Sequence, residues 1–200
     1  ISMSLGTSPP WSAVNDGTDP WSLMVDYVVG NGITVAQSTG NAGPGAFTIG
    51  QSACASKNIG VGGYVYARMF KMYLDAYYGY GYSDYAHMGD DEELVWYFAS
   101  RGPTRDYRTG VAAVAPCAYT IGAGGYYDLY WGSGTSFSAP RVAGEALLLI
   151  NYYKREKKTY PTPETVRAAI VVGADFIPGY HKIEQGGGRW NPFKAAQVIL

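Results

Sequence analysis

The sequence predicts an α/β chain, with a mainly parallel sheet flanked by helices. Three observations predict it. A short apolar run at residues 1–5 is followed by a capped helical segment and a second apolar run at 33–36. A third run at 58–64 repeats the pattern beyond a glycine-rich loop, and strand–helix–strand order of this kind favours parallel pairing. A long helix over 137–153, apolar on several faces, reads as buried nearly all round and supplies a covering layer.

Each element has a local cause. The first run ends at Gly6, and residues 7–19 are rich in Ser, Pro, Asn, Asp and Gly, as a surface loop requires. Asp19 then caps a helix with Pro20 in its first turn. Trp21, Leu23, Met24, Tyr27 and Val28 recur at helical spacing, and Gly30-Asn31-Gly32 stops the helix. Residues 38–45 hold too much Gly and Pro for regular structure. Residues 64–95 mix nine Tyr or Phe with Gly and Asp and read as a long insertion, with a hairpin or short helix near 68–77. Residues 95–98 and 111–115 are further strand candidates. Pro140 is expected in the first turn or so of the long helix, where a missing N–H does no harm. Thr162-Pro163-Glu164 opens a helix reaching about residue 172, and Asn191-Pro192 opens the last one. With no internal repeat or linker, residues 1–200 read as one unit. The opening Ile1-Ser2-Met3-Ser4-Leu5 reads as mid-strand, which predicts a fragment of a longer chain.

Bulk properties exclude several function classes. A net charge of −1 gives no electrostatic footprint for nucleic acid, and the short basic run 154–158 is a solvated helix end broken by Glu156. No apolar run has membrane-spanning length and no signal peptide is present. The 27 glycines lack a three-residue period, which excludes collagen, while the 19 tyrosines suit contacts or a wet cleft. Cys54 and Cys117 can pair or stay free, since spacing does not give their separation. There is no zinc or nucleotide motif. The acidic run 90–93 reads first as a solvated loop and second as a calcium site.

Two residues stand out chemically. Ser136 lies between a glycine-rich approach and the start of the long helix, where its hydroxyl can be exposed and the helix N-terminus favours developing negative charge. The plain alternative is that Thr135 or Ser136 merely caps the helix. Asn41 follows an expected strand, flanked by Gly40 and Gly43, at the strand end where parallel sheets collect ligands. A serine nucleophile needs a base, normally a histidine held by a carboxylate. The two histidines, His87 and His181, fit poorly, because neither follows a strand or opens a helix in this reading.

These motifs together resemble the subtilisin-like serine protease family, and more narrowly its pyrolysin and tripeptidyl-peptidase II branch. Gly134-Thr135-Ser136-Phe137-Ser138-Ala139-Pro140, followed by Val142-Ala143-Gly144, is similar to the nucleophile motif. Ser38-Thr39-Gly40-Asn41-Ala42-Gly43-Pro44 is similar to the oxyanion loop, and Phe98-Ala99-Ser100-Arg101-Gly102-Pro103 to the segment before the substrate-side turn. Ser4-Leu5-Gly6 resembles the edge that pairs with substrate backbone. Val114-Ala115-Pro116 also fits, although Cys117 replaces the expected glycine. The resemblance implies a subtilisin-like three-layer fold, incomplete here, with the chain as the C-terminal portion of the peptidase domain. It implies Ser136 as nucleophile and Asn41 as oxyanion donor, with Ser4, Leu5, Gly6, Thr39, Gly40, Gly134 and Thr135 around the substrate. Subtilisin itself orders its triad aspartate, histidine, serine, so the first two are expected before Ile1 or on a partner chain. No cofactor is required for the chemistry, a structural calcium is compatible, the partner is a polypeptide substrate, and the setting is secreted or cell-surface. The alternatives are a non-catalytic piece of an extracellular assembly, or an exopeptidase releasing tripeptides.

Overall fold

The computed structural model describes residues 1–7, 15–124 and 128–200. Residues 8–14 of the expected loop lie outside them. The sheet runs β1 (Ser2–Met3), β2 (Ala36–Ser38), β3 (Ile59–Tyr66), with β1 parallel to β2 and β2 parallel to β3. β4 (Glu93–Val95) and β5 (Ala113–Pro116) both pair with β3 at Tyr64, the first antiparallel and the second parallel, so they occupy opposite edges of that strand. The parallel core was expected; the antiparallel β4 replaces the strand expected at 95–98.

Helices cover both faces. α4 (Thr135–Lys157), α5 (Pro163–Gly173) and α7 (Pro192–Val198) bury Val142, Leu149, Ile170 and Ala195 against Ala36, Val61 and Ala113 of the sheet. At about 1.5–3 kcal/mol per large aliphatic side chain, this is the main stabilising layer. α1 (Pro20–Gly30) packs Val25 and Val29 on Val35, whose side chain alternates with Ala36 to the other face. The Asp19 carboxylate accepts from the N–H groups of Trp21 (2.9 Å) and Ser22 (3.0 Å), a cap worth about 1 kcal/mol.

Two expected faces are corrected. The helical spacing of α1 was sound, but Trp21, Leu23, Met24 and Tyr27 are exposed and the buried stripe is Ser22, Val25 and Val29. α4 is not buried all round: Leu147 and Leu148 are 66% and 67% exposed. The segment after β3 folds as α2 (Ala67–Tyr78) and the short α3 (Gly81–Asp84), with Phe70 edge-on to the buried Trp96 at 6.0 Å. Its acidic run is engaged by cations: Asp90 with Lys71 (2.9 Å), Asp91 with Arg68 (3.2 Å) and Glu93 with Arg189. An antiparallel ribbon, β6 (Thr120–Ala123) and β7 (Leu129–Gly132), joins β5 to α4 and was not expected. Cys54 and Cys117 are both free and buried in separate clusters. Among the described residues no helix is long and apolar enough to cross a membrane.

Candidate active site

Parallel β1 and β2 end at the same side of the sheet, delivering Ser4–Gly6 and Thr39–Asn41 to one place. The β6–β7 ribbon brings the start of α4 there too, because the Gly134 N–H donates to Cys117 O at the end of β5 (2.7 Å). Ser138 anchors the first turn of α4, its hydroxyl donating to Ala115 O (3.0 Å). The result is a cavity of ≈ 170 Å³ whose walls include Ser4, Gly6, Ser38, Gly40, Asn41 and Ser136. Leu5, Thr39 and Thr135 also border it, as do Thr7 and Gly50, which the sequence did not single out.

The Asn41 amide is oriented by its partners. The Thr135 N–H donates to Asn41 Oδ1 (2.9 Å) and the Thr135 hydroxyl does the same (3.1 Å). A backbone N–H can be met only by the amide oxygen, so Nδ2 is left as a donor, and among the described residues it donates to nothing. A Cβ on Gly134, at φ +149, would lie 3.2 Å from that nitrogen, so a bare glycine keeps the space open. Ser100 braces the loop from beneath: its N–H donates to Gly40 O (2.9 Å) and its hydroxyl accepts from the Ala42 N–H (3.0 Å). That is the contribution of the 98–103 segment.

Ser136 is half-buried in the first turn of α4. Its N–H has no partner among the described residues, as expected of a helix N-terminus. Pro140 lies deeper in the helix than expected and does matter there. It would be the donor to the Ser136 carbonyl four residues back, and it has no N–H. The Ser4 hydroxyl supplies that hydrogen bond instead, at 2.7 Å.

Neither histidine borders the cavity. His87 is exposed, while His181 does open a helix, contrary to the sequence reading: it caps α6 (Lys182–Gln185), with Nδ1 accepting from the Ile183 N–H (3.4 Å).

A model of the subtilase family matches residues 1–189. The chain belongs to the subtilase family. Within this subtilase, 160 residues (78% of the chain) are 31% identical to Tripeptidyl-peptidase 2 of Caenorhabditis elegans, and they span 11% of that protein. Membrane-bound transcription factor site-1 protease of Mus musculus is 28% identical over 186 residues, 90% of this chain and 15% of that one. The chain therefore spans well under a fifth of these relatives. The self-cleaved protease domain of PatA has the same fold, with a TM-score of 0.70 at 22% identity, over 100% of this chain and 61% of that one. The PatG macrocyclase in complex with peptide matches at a TM-score of 0.70 and 16% identity, over 100% of this chain and 52% of that one. The sheet flanked by helices is thus the subtilase arrangement, open on the β1 side.

Proposed function

We propose that this subtilase chain is the serine-bearing C-terminal portion of an endopeptidase domain that hydrolyses polypeptides through an acyl-enzyme. The observation that carries the reading is the pair of free N–H donors, Asn41 Nδ2 and the Ser136 amide, on the same small cavity as the Ser136 hydroxyl. Ser136 Oγ attacks the scissile carbonyl carbon and its proton passes to a histidine outside this chain. The carbonyl oxygen becomes an oxyanion held by the two donors. The C–N bond then breaks, the amine leaving with the proton, and water hydrolyses the ester to regenerate Ser136.

The histidine and its aspartate are assigned to sequence before Ile1 or to a partner chain. In support, α4 and the β1 edge share an apolar groove of ≈ 280 Å³ lined by Ile1, Ile33, Ala143, Leu147 and Ile150. A covering element there would bury the exposed Leu147 of α4. Affinity with the tripeptidyl-peptidase II branch is supported by the nematode relative, and the segment between β3 and β4 is read as an insertion carried by this chain.

The test is active-site labelling of the full-length protein with a serine-directed phosphonate. Mass spectrometry should place the adduct on Ser136, and Ser136→Ala should abolish it. An adduct elsewhere that survives the substitution overturns the assignment.

A further inference from the structure

We infer that the cavity beside Ser136 selects a small, uncharged side chain on the acyl side of the scissile bond, and that the Ser38 hydroxyl is the group that meets it. The inference rests on the peptidase reading above and adds its substrate class.

Size comes first. Ligand pockets usually run to roughly 300–1,000 Å³, whereas this one holds ≈ 170 Å³, part of which the reacting carbonyl must occupy. The remainder suits a side chain of a few heavy atoms. One wall is the backbone of the sheet end, already close-packed. Gly50 donates to Thr39 O at 2.8 Å, and a Cβ on Gly50 would already meet Thr7 O at 2.6 Å. Behind it Gln37, fully buried, donates to Ser52 Oγ at 2.5 Å and accepts from Asn58 Nδ2 at 3.3 Å. A phenyl or indole ring would have to displace a hydrogen-bonded sheet end.

Charge comes second. Among the described residues, no ionisable side chain lines the cavity. A lysine, arginine, aspartate or glutamate side chain entering it would lose water and gain no counter-charge.

Elimination then picks out Ser38. The Ser4 hydroxyl is committed to Ser136 O, the Thr39 hydroxyl to Val61 O (3.3 Å) and Ser100 O (3.4 Å), and the Thr135 hydroxyl to Gly40 O (3.1 Å) and Asn41. Thr7 shares its hydroxyl with Gln51. Among the hydroxyl-bearing residues that line the cavity, only Ser38 and Ser136 have hydroxyls without a partner among the described residues. Ser136 is reserved for the chemistry. Ser38, at 6% exposure, is a nearly buried polar residue, and buried hydroxyls normally have a hydrogen-bond partner.

The experiment profiles the full-length enzyme on peptides that vary only in the residue before the cleaved bond. A parallel series of phosphonates carries the same side chains. Ser, Ala and Thr should exceed Phe, Lys and Glu by tenfold or more, about 1.4 kcal/mol, in kcat/KM and in labelling rate. Ser38→Ala should reduce the preference for Ser over Ala by about fivefold, one hydrogen bond's worth. Labelling of Ser136 together with equal or faster cleavage after Phe, Lys or Glu overturns this inference alone. An unchanged Ser-to-Ala ratio in Ser38→Ala overturns the role of Ser38. Failure of every phosphonate to label Ser136 overturns the peptidase reading, and this inference with it.

Discussion

The Thr135 N–H donates to Asn41 Oδ1 at 2.9 Å across 94 residues of sequence, and the Thr135 hydroxyl shares its one proton between Asn41 Oδ1 and Gly40 O, each at 3.1 Å. The bond fixes the amide's orientation, with Oδ1 turned to Thr135 and Nδ2 left as a donor. Asn41→Ala should lower kcat by about 10²–10³ with little change in KM, a magnitude carried over from subtilisin itself. Thr135→Val keeps the backbone donor and loses one of the two bonds, so its kcat should fall by about fivefold. Steady-state kinetics on the full-length enzyme decide; an effect of Asn41→Ala confined to KM would remove the oxyanion role.

Pro140 and Ser4 make a compensating pair. Ser4→Ala leaves the Ser136 carbonyl without its donor and should cost about 1 kcal/mol in stability. Pro140→Ala restores a helical N–H to the same carbonyl. In that background Ser4→Ala should cost far less, and a double-mutant cycle of thermal unfolding should return a coupling of about 1 kcal/mol. Additive costs would mean that the two residues act separately.

Glu145 is 2% exposed, and neither carboxylate oxygen has a partner among the described residues. Burial raises its pKa from 4.5 to about 7. The fold therefore favours the neutral acid: it carries no penalty below pH 4.5 and loses stability as pH rises through about 7. The total loss is at most about 3 kcal/mol. Glu145→Gln, which cannot ionise, should unfold at higher temperature than wild type at pH 8 and should flatten the decline between pH 4.5 and 7. A wild-type melting temperature that does not fall across that window counts against the buried acid.

The two thiols are inert in the folded state. Burial pushes Cys54 up to about 12 and Cys117 higher still, so little thiolate forms at neutral pH. Thiol labelling with mass-spectrometric mapping should leave Cys54 and Cys117 unmodified in native protein and modify both after denaturation without reductant. A single mass shift matching a disulfide would contradict this.

The sequence is informative where the chemistry is local. Asn41 and Ser136 are legible because each sits in a glycine-rich break beside a strand end or helix start. The caps at Asp19, Thr162 and Asn191 are legible because the backbone N–H groups that donate to them lie two or three residues away. Thr135 as the orienter of Asn41, Ser100 as the brace and Ser4 as the substitute for the Pro140 N–H are not. Each bridges residues far apart in sequence, and a serine that will bond at that range looks like any other. The buried face of α1 is not legible, because large apolar residues keep helical spacing on the outside while Ser22, Val25 and Val29 pack inward. The β6–β7 ribbon lacks an alternating apolar pattern, since Ile121, Leu129, Tyr130 and Trp131 are all exposed.

The two donors beside the cavity, Asn41 Nδ2 and the Ser136 N–H, are each set by neighbours within this chain. On the proposed peptidase reading, the electrostatic part of the machinery is set by this chain's own residues and is separable from whatever moves protons. A boronic acid, which forms its own tetrahedral anion on serine, should find the same cradle even where no imidazole stands ready. Such a scaffold can exchange or lose its proton shuttle over evolutionary time without dismantling the seat for charge.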